Sequence, residues 1–351
     1  MAHITSLATA VPPYRYAQDE IFRMLFGATH GAESKARAIF ERSAIATRHS
    51  VLPDIGFILA NPGTQARNEV YVKEAHRLAA EACRGCLAQA GLTARDIDTF
   101  VVVSCTGYEI PGLDLTLARE LGMRADVRRT CVLGMGCYAA FPGLVRARDS
   151  VLARQGSRAL MVAVELCSLH FQPGTTDDHV VSCALFADGA AAVLLEGDGG
   201  LRLVDAETLT QYDTAEHMTF SLTDHGFKMY LSSYVPQILG TRVEDLLRGL
   251  LGRNGLTPRE VRHWGIHPGG RKIIDHLQQG LGLTDEQVAS SRRVLRDYGN
   301  MSSPTVLFVL ADLLAHAAPQ VGDHAVLMAF GPGLTMEACL LRWEAGGGLT
   351  Y

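Results

Sequence analysis

Blocks of apolar residues along the first half of the chain predict strands that alternate with helices. The segment 99–104, Thr-Phe-Val-Val-Val-Ser, is almost continuously apolar, as is typical of a strand buried on both faces. Two segments with helical spacing end at Gly91 and Gly122, residues that favour helix termination. We predict strands over 99–104, 127–133 and 159–166, and helices over 68–91, 114–121 and 138–154. This alternation is typical of an α/β layered fold.

The second half repeats the alternation. We predict helices over 241–252, 271–282 and 303–317 and strands over 262–266 and 324–330, with a short segment to residue 299 that is given no element. The segments 186–195 and 330–341 also resemble each other, because each has a phenylalanine, a glycine turn and then an apolar strand. We therefore expect two related halves, 1–198 and 199–351.

Composition excludes some partners. The 351 residues are 48% hydrophobic and 20% charged, with a net charge of −5, which argues against nucleic acid or an anionic membrane as the main partner. No apolar run is long enough for a membrane-spanning helix, and the N-terminal residues do not resemble a signal peptide. The eight scattered cysteines favour a reduced, cytoplasmic protein.

Cys83 and Cys86 have the spacing of half a zinc site or of a redox pair. No second pair follows at zinc-finger distance, and both cysteines lie inside a predicted helix. We interpret them as structural thiols, and the sequence contains no metal-ligand cluster.

Cys137 is the strongest candidate nucleophile. It follows a glycine pair in Leu-Gly-Met-Gly-Cys-Tyr (133–138) and precedes the predicted helix 138–154. A helix N-terminus stabilises a thiolate, so we expect a lowered pKa for this thiol.

Two further residues stand in glycine-rich turns. His267 lies in His-Pro-Gly-Gly (267–270) after a predicted strand, and Asn300 lies in Gly-Asn-Met-Ser-Ser (299–303) before a predicted helix. Each also has a structural interpretation, an exposed turn histidine and a helix cap. A nucleophilic cysteine needs a base, and acyl transfer needs donors to an oxyanion, so the three residues together suggest an acyl-transfer site.

These three turns, in this order, resemble the Cys-His-Asn triad of type III polyketide synthases, the chalcone synthase-like enzymes. Further matching segments are 106–114 (Thr-Gly-Tyr-Glu-Ile-Pro-Gly-Leu-Asp), 184–190 (Ala-Leu-Phe-Ala-Asp-Gly-Ala) and 330–335 (Phe-Gly-Pro-Gly-Leu-Thr). The resemblance covers nearly the whole chain.

The resemblance implies a thiolase-like fold of two βαβαβαββ halves in αβαβα layers, and a homodimer. It implies that Cys137 accepts a starter acyl group from a CoA thioester. His267 and Asn300 then assist decarboxylative condensation with malonyl-CoA, without a cofactor. The product would be a pyrone, a resorcinol or a related aromatic compound.

The resemblance also assigns a substrate cavity. Phe186 matches a gate phenylalanine, whereas Met229 replaces a second one, and a flexible methionine admits bulkier or aliphatic chains. Cys105 resembles a second active-site cysteine of some bacterial members. The cavity positions implied are Cys105, Cys167, Leu169, His170, Phe186, Phe220, Met229 and Ser302. A long-chain fatty acyl group is one candidate starter.

Four basic residues are candidates for the phosphates of CoA: Lys35, Arg37, Arg42 and Lys272. Basic residues on a helix are more often a solvated face. Two other functions stay open at this point. One is a ketoacyl synthase III-like condensing enzyme of fatty-acid synthesis, and the other is a non-catalytic acyl-CoA-binding paralogue.

Overall fold

The computed structural model describes residues 1–27, 34–172, 174, 176–232, 234–345 and 349–351. Its strands are β1 His3–Ala10, β2 Tyr14–Ala17, β3 Thr47–Ser50, β4 Thr99–Ser104, β5 Arg128–Leu133, β6 Ala159–Leu166, β7 Asp188–Glu196, β8 Leu201–Thr210, β9 Met218–Thr223, β10 Gly226–Leu231, β11 His263–Ile266, β12 His324–Gly331 and β13 Thr335–Trp343. Its helices are α1 Gln18–Phe26, α2 Lys35–Arg42, α3 Gly56–Leu59, α4 Thr64–Gln89, α5 Leu113–Leu121, α6 Ala140–Ala153, α7 Asp177–Leu185, α8 Val235–Arg253, α9 Arg271–Leu281, α10 Ala289–Tyr298 and α11 Thr305–His316.

The main sheet contains the same strand arrangement twice. Its order is β11-β12-β13-β8-β1-β7-β6-β4-β5. In the first half β4 runs parallel to β6, and β7 and β1 continue antiparallel. In the second half β11 runs parallel to β12, and β13 and β8 continue antiparallel. The halves meet where His3 and Ile4 pair with Arg202 and Leu201.

Three hydrophobic cores lie between the layers of helices and strands. The first lies between the N-terminal part of the sheet and α4, and the third lies between the C-terminal part and α8 with α9. The second core buries α6 and α11 between the inner faces of both parts. Helices therefore cover both outer faces and fill the middle, which is the predicted αβαβα arrangement.

Most predicted elements of the layered core are confirmed. The strands 99–104 and 159–166 have the predicted bounds, because a continuous apolar run marks where a fully buried strand begins and ends. Gly91 and Gly122 follow α4 and α5 with φ of +67° and +75°, where a side chain would be strained. Among the described residues, no helix is long and apolar enough to cross a membrane.

One helix was not predicted. The segment that extends to residue 299 contains α10, over Ala289–Tyr298. Its sequence, Ala-Ser-Ser-Arg-Arg-Val-Leu-Arg-Asp-Tyr, is mostly polar, and its buried residues are two serines, Val294 and Leu295. The helix packs on α11, so tertiary contacts stabilise a segment whose apolar stripe is too narrow to identify from sequence.

Candidate active site

The candidate residues gather where parallel strands end. Cys105 directly follows β4, Cys137 lies just past β5, Cys167 directly follows β6, and His267 directly follows β11. The carboxyl ends of parallel strands meet at one edge of a sheet, which is where ligand sites of open α/β sheets form. In the main sheet β4 to β6 run opposite to β11 and β12, so residues of the two halves meet through loop contacts such as that between Ser302 and Cys137.

Cys137 lies on a short 3₁₀ turn, Gly136–Tyr138, ahead of α6. Gly136 has φ of +72°, and a Cβ on it would lie 2.8 Å from Cδ of Pro332. A Cβ on Gly331 would lie 2.6 Å from the ring of Tyr138. The two glycines thus let the loop after β12 close on the cysteine, which is 6% exposed.

Ser302 connects the sulfur to its surroundings. Its hydroxyl donates to Cys137 Sγ at 3.5 Å and lies 3.8 Å from Cys105 Sγ. Its backbone N–H donates to Asn300 Oδ1 at 2.8 Å, which orients the amide. Asn300, Ser302 and two thiols therefore form one contiguous group.

His267 completes this group from the C-terminal half. Its backbone N–H donates to Met328 O on β12 at 2.8 Å, and its side chain is buried. Asn300 Nδ2 donates to Gly269 O at 3.4 Å, so the histidine turn and the asparagine touch. Neither ring nitrogen of His267 has a hydrogen-bond partner among the described residues. The imidazole is thus held in place with both nitrogens free for a substrate.

The pKa shifts differ from the prediction. Burial raises the pKa of the Cys137 thiol to about 11, although Ser302, which donates to the sulfur, and Asn300 oppose this. Burial also lowers the pKa of His267 to about 3. These shifts oppose the lowered thiol pKa expected from sequence, because Cys137 is buried on a separate turn and α6 begins only at Ala140. Burial thus favours the neutral forms of the thiol and the imidazole.

Glu165 is a buried polar residue of this region that the sequence analysis missed. Its carboxylate accepts hydrogen bonds from the Cys105 N–H at 2.9 Å, the Thr106 hydroxyl at 2.8 Å and the Ser303 hydroxyl at 2.7 Å. It is 0% exposed, and burial raises its pKa. The available signal was a single carboxylate inside an apolar strand.

Phe186, Phe220 and Met229 form one wall beside the triad. Phe186 forms a backbone bridge with Asn300, and its ring packs edge-on against Phe220 at 6.0 Å between centroids. Phe220 on β9 is the cross-strand partner of Met229 on β10. The structure therefore brings these three predicted cavity residues together.

Three further predicted cavity residues follow β6 directly in the chain. Cys167 and Leu169 are buried. His170 Nε2 donates to Thr106 O at 2.7 Å, and its Nδ1 accepts from the Phe227 N–H at 3.2 Å. Burial lowers the His170 pKa to about 4, in keeping with this neutral form. His170 thus fastens the β9–β10 hairpin to the loop that follows Cys105.

Three of the four predicted CoA-binding cations lie on α2, and two of these already pair with carboxylates. Lys35 on α2 pairs with Asp177, and Arg37 pairs with Asp19 and Glu41, so both already face carboxylates. Arg42 is exposed at the end of α2, and Lys272 is exposed on α9. Their role stays a prediction. Cys83 and Cys86 are free thiols buried in α4, which agrees with a structural role.

Comparison with known protein families identifies the family to which the chain belongs. Residues 1–199 match the N-terminal domain of chalcone and stilbene synthases, and residues 203–344 match the C-terminal domain. A 1,3,6,8-tetrahydroxynaphthalene synthase of Streptomyces peucetius subsp. caesius is 37% identical over 97% of this chain and 93% of its own length. A 3,5-dihydroxyphenylacetyl-CoA synthase of Streptomyces toyocaensis is 33% identical over 97% and 90%.

Solved structures agree. The 1,3,6,8-tetrahydroxynaphthalene synthase of Streptomyces coelicolor A3(2), a bacterial type III polyketide synthase, superposes with a TM-score of 0.92 at 30% identity, over 98% of this chain and 100% of that one. PKS-I from the brown alga Ectocarpus siliculosus superposes with a TM-score of 0.91 at 32% identity, over 97% and 98%. These matches do not favour a ketoacyl synthase of fatty-acid synthesis.

Proposed function

We propose a mechanism and a substrate class for this chain, which belongs to the chalcone and stilbene synthase family and is a type III polyketide synthase. One observation supports the mechanism most directly. The Asn300 amide donates to Gly269 O in the His267 turn and accepts from the Ser302 N–H, and the Ser302 hydroxyl donates to the Cys137 sulfur. Neither nitrogen of the buried imidazole has a partner among the described residues. A nucleophile, a proton acceptor and a donor to an oxyanion therefore belong to one buried group of residues.

In the loading step, Cys137 attacks the thioester carbonyl of a starter acyl-CoA. The bond between Cys137 Sγ and the acyl carbon forms, and the bond from that carbon to the CoA sulfur breaks. His267, neutral in the free enzyme, accepts the thiol proton as the sulfur attacks and returns it to the departing CoA thiolate. Burial disfavours the charged form of each group alone, so this proton transfer requires the thiolate and the imidazolium to stabilise each other as a pair.

In the extension step, malonyl-CoA loses CO₂ and its bonding electron pair becomes an enolate. The His267 N–H and the Asn300 amide N–H donate to the enolate oxygen. The enolate carbon attacks the acyl group on Cys137, a carbon–carbon bond forms, and the Cys137 thiolate leaves and is ready for the next transfer. Removing one such donor typically slows a reaction by about 10²–10³.

We propose an aromatic polyketide product built from malonyl-CoA. Two of the related enzymes are named for polyhydroxylated aromatic products. The buried Phe186 and the half-buried Phe220 place two aromatic rings in the wall beside the triad, and Cys105 brings a second thiol close to Ser302. A long-chain alkylpyrone from a fatty acyl starter is the second candidate, because Met229 supplies a flexible apolar side chain at the wall.

The test supplies labelled malonyl-CoA alone and then with a panel of acyl-CoA starters, and identifies products by mass spectrometry. We expect an aromatic product from malonyl-CoA alone, and none from Cys137→Ala. Products only with fatty acyl-CoA would favour the alkylpyrone. Full turnover by Cys137→Ala would overturn the mechanism.

We also propose a homodimer. β5 forms one edge of the main sheet, and apolar side chains near it are exposed: Tyr108, Ile110, Leu133 and Met135. An open edge flanked by apolar surface favours association with a second copy. Light scattering of the purified protein should give twice the chain mass, and Met135→Asp should shift it toward the monomer. The free state of all eight cysteines suits a cytoplasmic enzyme.

A further inference from the structure

Arg48 on β3 is one of the most deeply buried charged residues of the described chain. It is 2% exposed, and its guanidinium lies between the rings of Phe40 and Phe171, at 6.0 and 5.8 Å from their centroids. Its Nη1 donates to Cys183 O at 2.7 Å and to Phe186 O at 2.6 Å. A buried arginine is costly to desolvate, so its position needs an explanation.

The two carbonyls belong to the segment that holds Asn300. The Asn300 N–H donates to Leu185 O at 2.9 Å, and the Ala187 N–H donates to Asn300 O at 2.9 Å, so Asn300 pairs with the residues on each side of Phe186. Arg48 therefore binds the carbonyl of the residue that lies directly opposite the candidate catalytic asparagine.

Arg48 also touches the other side of this pairing. A Cβ on Gly299 would lie 2.8 Å from both Cγ and Cδ of Arg48, so the arginine stem lies against the backbone just before Asn300. The neighbouring residue Thr47 donates from its hydroxyl to Asp297 O at 2.8 Å. β3 thus holds the end of α10 and the start of the asparagine turn from the N-terminal half.

We infer that Arg48 is a positioning residue for the condensation reaction, which fixes the Asn300 amide and the Phe186 wall relative to the Cys137 sulfur. The guanidinium fixes the position of the 183–187 segment by its hydrogen bonds to two carbonyls. The aliphatic part of the Arg48 side chain limits how closely residue 299 can approach that segment. Asn300 is held between them and cannot shift without breaking one of these contacts. Misplacing a donor by about 1 Å can cost about 100-fold in rate.

The inference rests on the proposed role of Asn300, so the experiment includes Asn300→Ala. The central variant is Arg48→Met, which keeps an unbranched stem and removes every donor. Arg48→Lys restores a charged donor without the planar fork and should recover part of the loss. Each purified variant is assayed for decarboxylation of malonyl-CoA, for the rate at which iodoacetamide alkylates Cys137, and for thermal unfolding.

We expect Arg48→Met to lower kcat for malonyl-CoA decarboxylation by about 10- to 100-fold with KM within about 3-fold, and alkylation of Cys137 to stay within about 3-fold. Arg48→Lys should fall between this variant and the natural protein. Gly299→Ala perturbs the same contact from the other side and should lower kcat in the same way, since residue 299 has φ of +72°.

Arg67 on α4 is the matched control, because it is also buried and donates to two backbone carbonyls, those of Leu169 and Phe171. Arg67→Met should lower the unfolding temperature as Arg48→Met does, but not kcat for decarboxylation. If Arg67→Met loses as much decarboxylation as Arg48→Met, or if alkylation of Cys137 falls in parallel, Arg48 is only structural. If Asn300→Ala decarboxylates at the natural rate, the proposed role of Asn300 fails first.

Discussion

Glu165 and His267 are buried to nearly the same extent, 0% and 1% exposed, yet their surroundings are opposite. The Glu165 carboxylate accepts hydrogen bonds from a backbone N–H and two well-placed hydroxyls. The His267 ring has no partner among the described residues. A buried polar group that the fold satisfies stabilises its surroundings, whereas one left open is costly and points to a ligand. The comparison separates the structural part of this pocket from its reactive part.

Changing His267 should give the largest effect on the reaction. His267→Gln removes the imidazole, so decarboxylation of malonyl-CoA should fall by about 10²–10³. The unfolding free energy should change by less than about 1 kcal/mol, because no side-chain hydrogen bond within the described chain is lost. Release of CO₂ and thermal unfolding measure the two quantities. If His267→Gln lowers the unfolding temperature but decarboxylates malonyl-CoA at the natural rate, His267 is a structural residue and not a catalytic one.

Changing Glu165 should mainly affect stability. Glu165→Ala leaves several buried donors unpaired and should lower the unfolding free energy by about 2–5 kcal/mol, and Glu165→Gln by about 1–3 kcal/mol. Urea titration measures both. Glu81, exposed on α4, is the control, and Glu81→Ala should stay within about 0.5 kcal/mol. A Glu165→Ala protein as stable as the natural one would show that the network contributes nothing.

The neutral state of the triad can be tested by pH. A thiol whose pKa is raised to about 11 has little thiolate near neutrality, and each added pH unit increases the thiolate fraction about tenfold. Alkylation of Cys137 by iodoacetamide, followed by intact mass, should therefore rise from pH 6 to 9 without a plateau. Ser302→Ala removes a donor to the sulfur and should slow alkylation at each pH. A plateau below pH 7 would instead indicate a preformed ion pair with His267.

The smallest effect should come from the cavity wall. Met229→Phe adds bulk next to Phe220 and should shift starter use and product distribution, with a stability change of about 1 kcal/mol. Tyr230, the exposed neighbour on β10, is the control, and Tyr230→Phe should leave the product profile unchanged. An unchanged profile for Met229→Phe would remove this residue from the wall. Product mass spectrometry with the same starter panel decides between the outcomes.

Much of the fold was predictable because its signals are local. The buried strands 99–104 and 159–166 are apolar along almost their whole length, and Gly122 ends α5 where the sequence predicts. α10 was not predictable, because its stability comes from packing on α11 rather than from its own pattern. The division into 1–198 and 199–351 stays a prediction.

The residues of the candidate site could be predicted from the sequence, but the contacts that surround them could not. Cys137, His267 and Asn300 stand in glycine-rich turns that are visible in the sequence, and the structure brings those turns together. The partners of Glu165, the place of Ser302 between two thiols and the contacts of Arg48 join residues far apart in the chain. No local pattern reports such contacts.

The sequence by itself determined the alternation of strands and helices and the three side chains able to do the chemistry, since these depend on residue type and spacing. Only the tertiary structure decided how burial shifts the pKa values of Cys137 and His267. The free energy of ionising a thiol or an imidazole depends on how much water the packed chain excludes from it. Here the approach of the 331–333 loop to Cys137 and the burial of His267 shift the pKa of each group toward its neutral form.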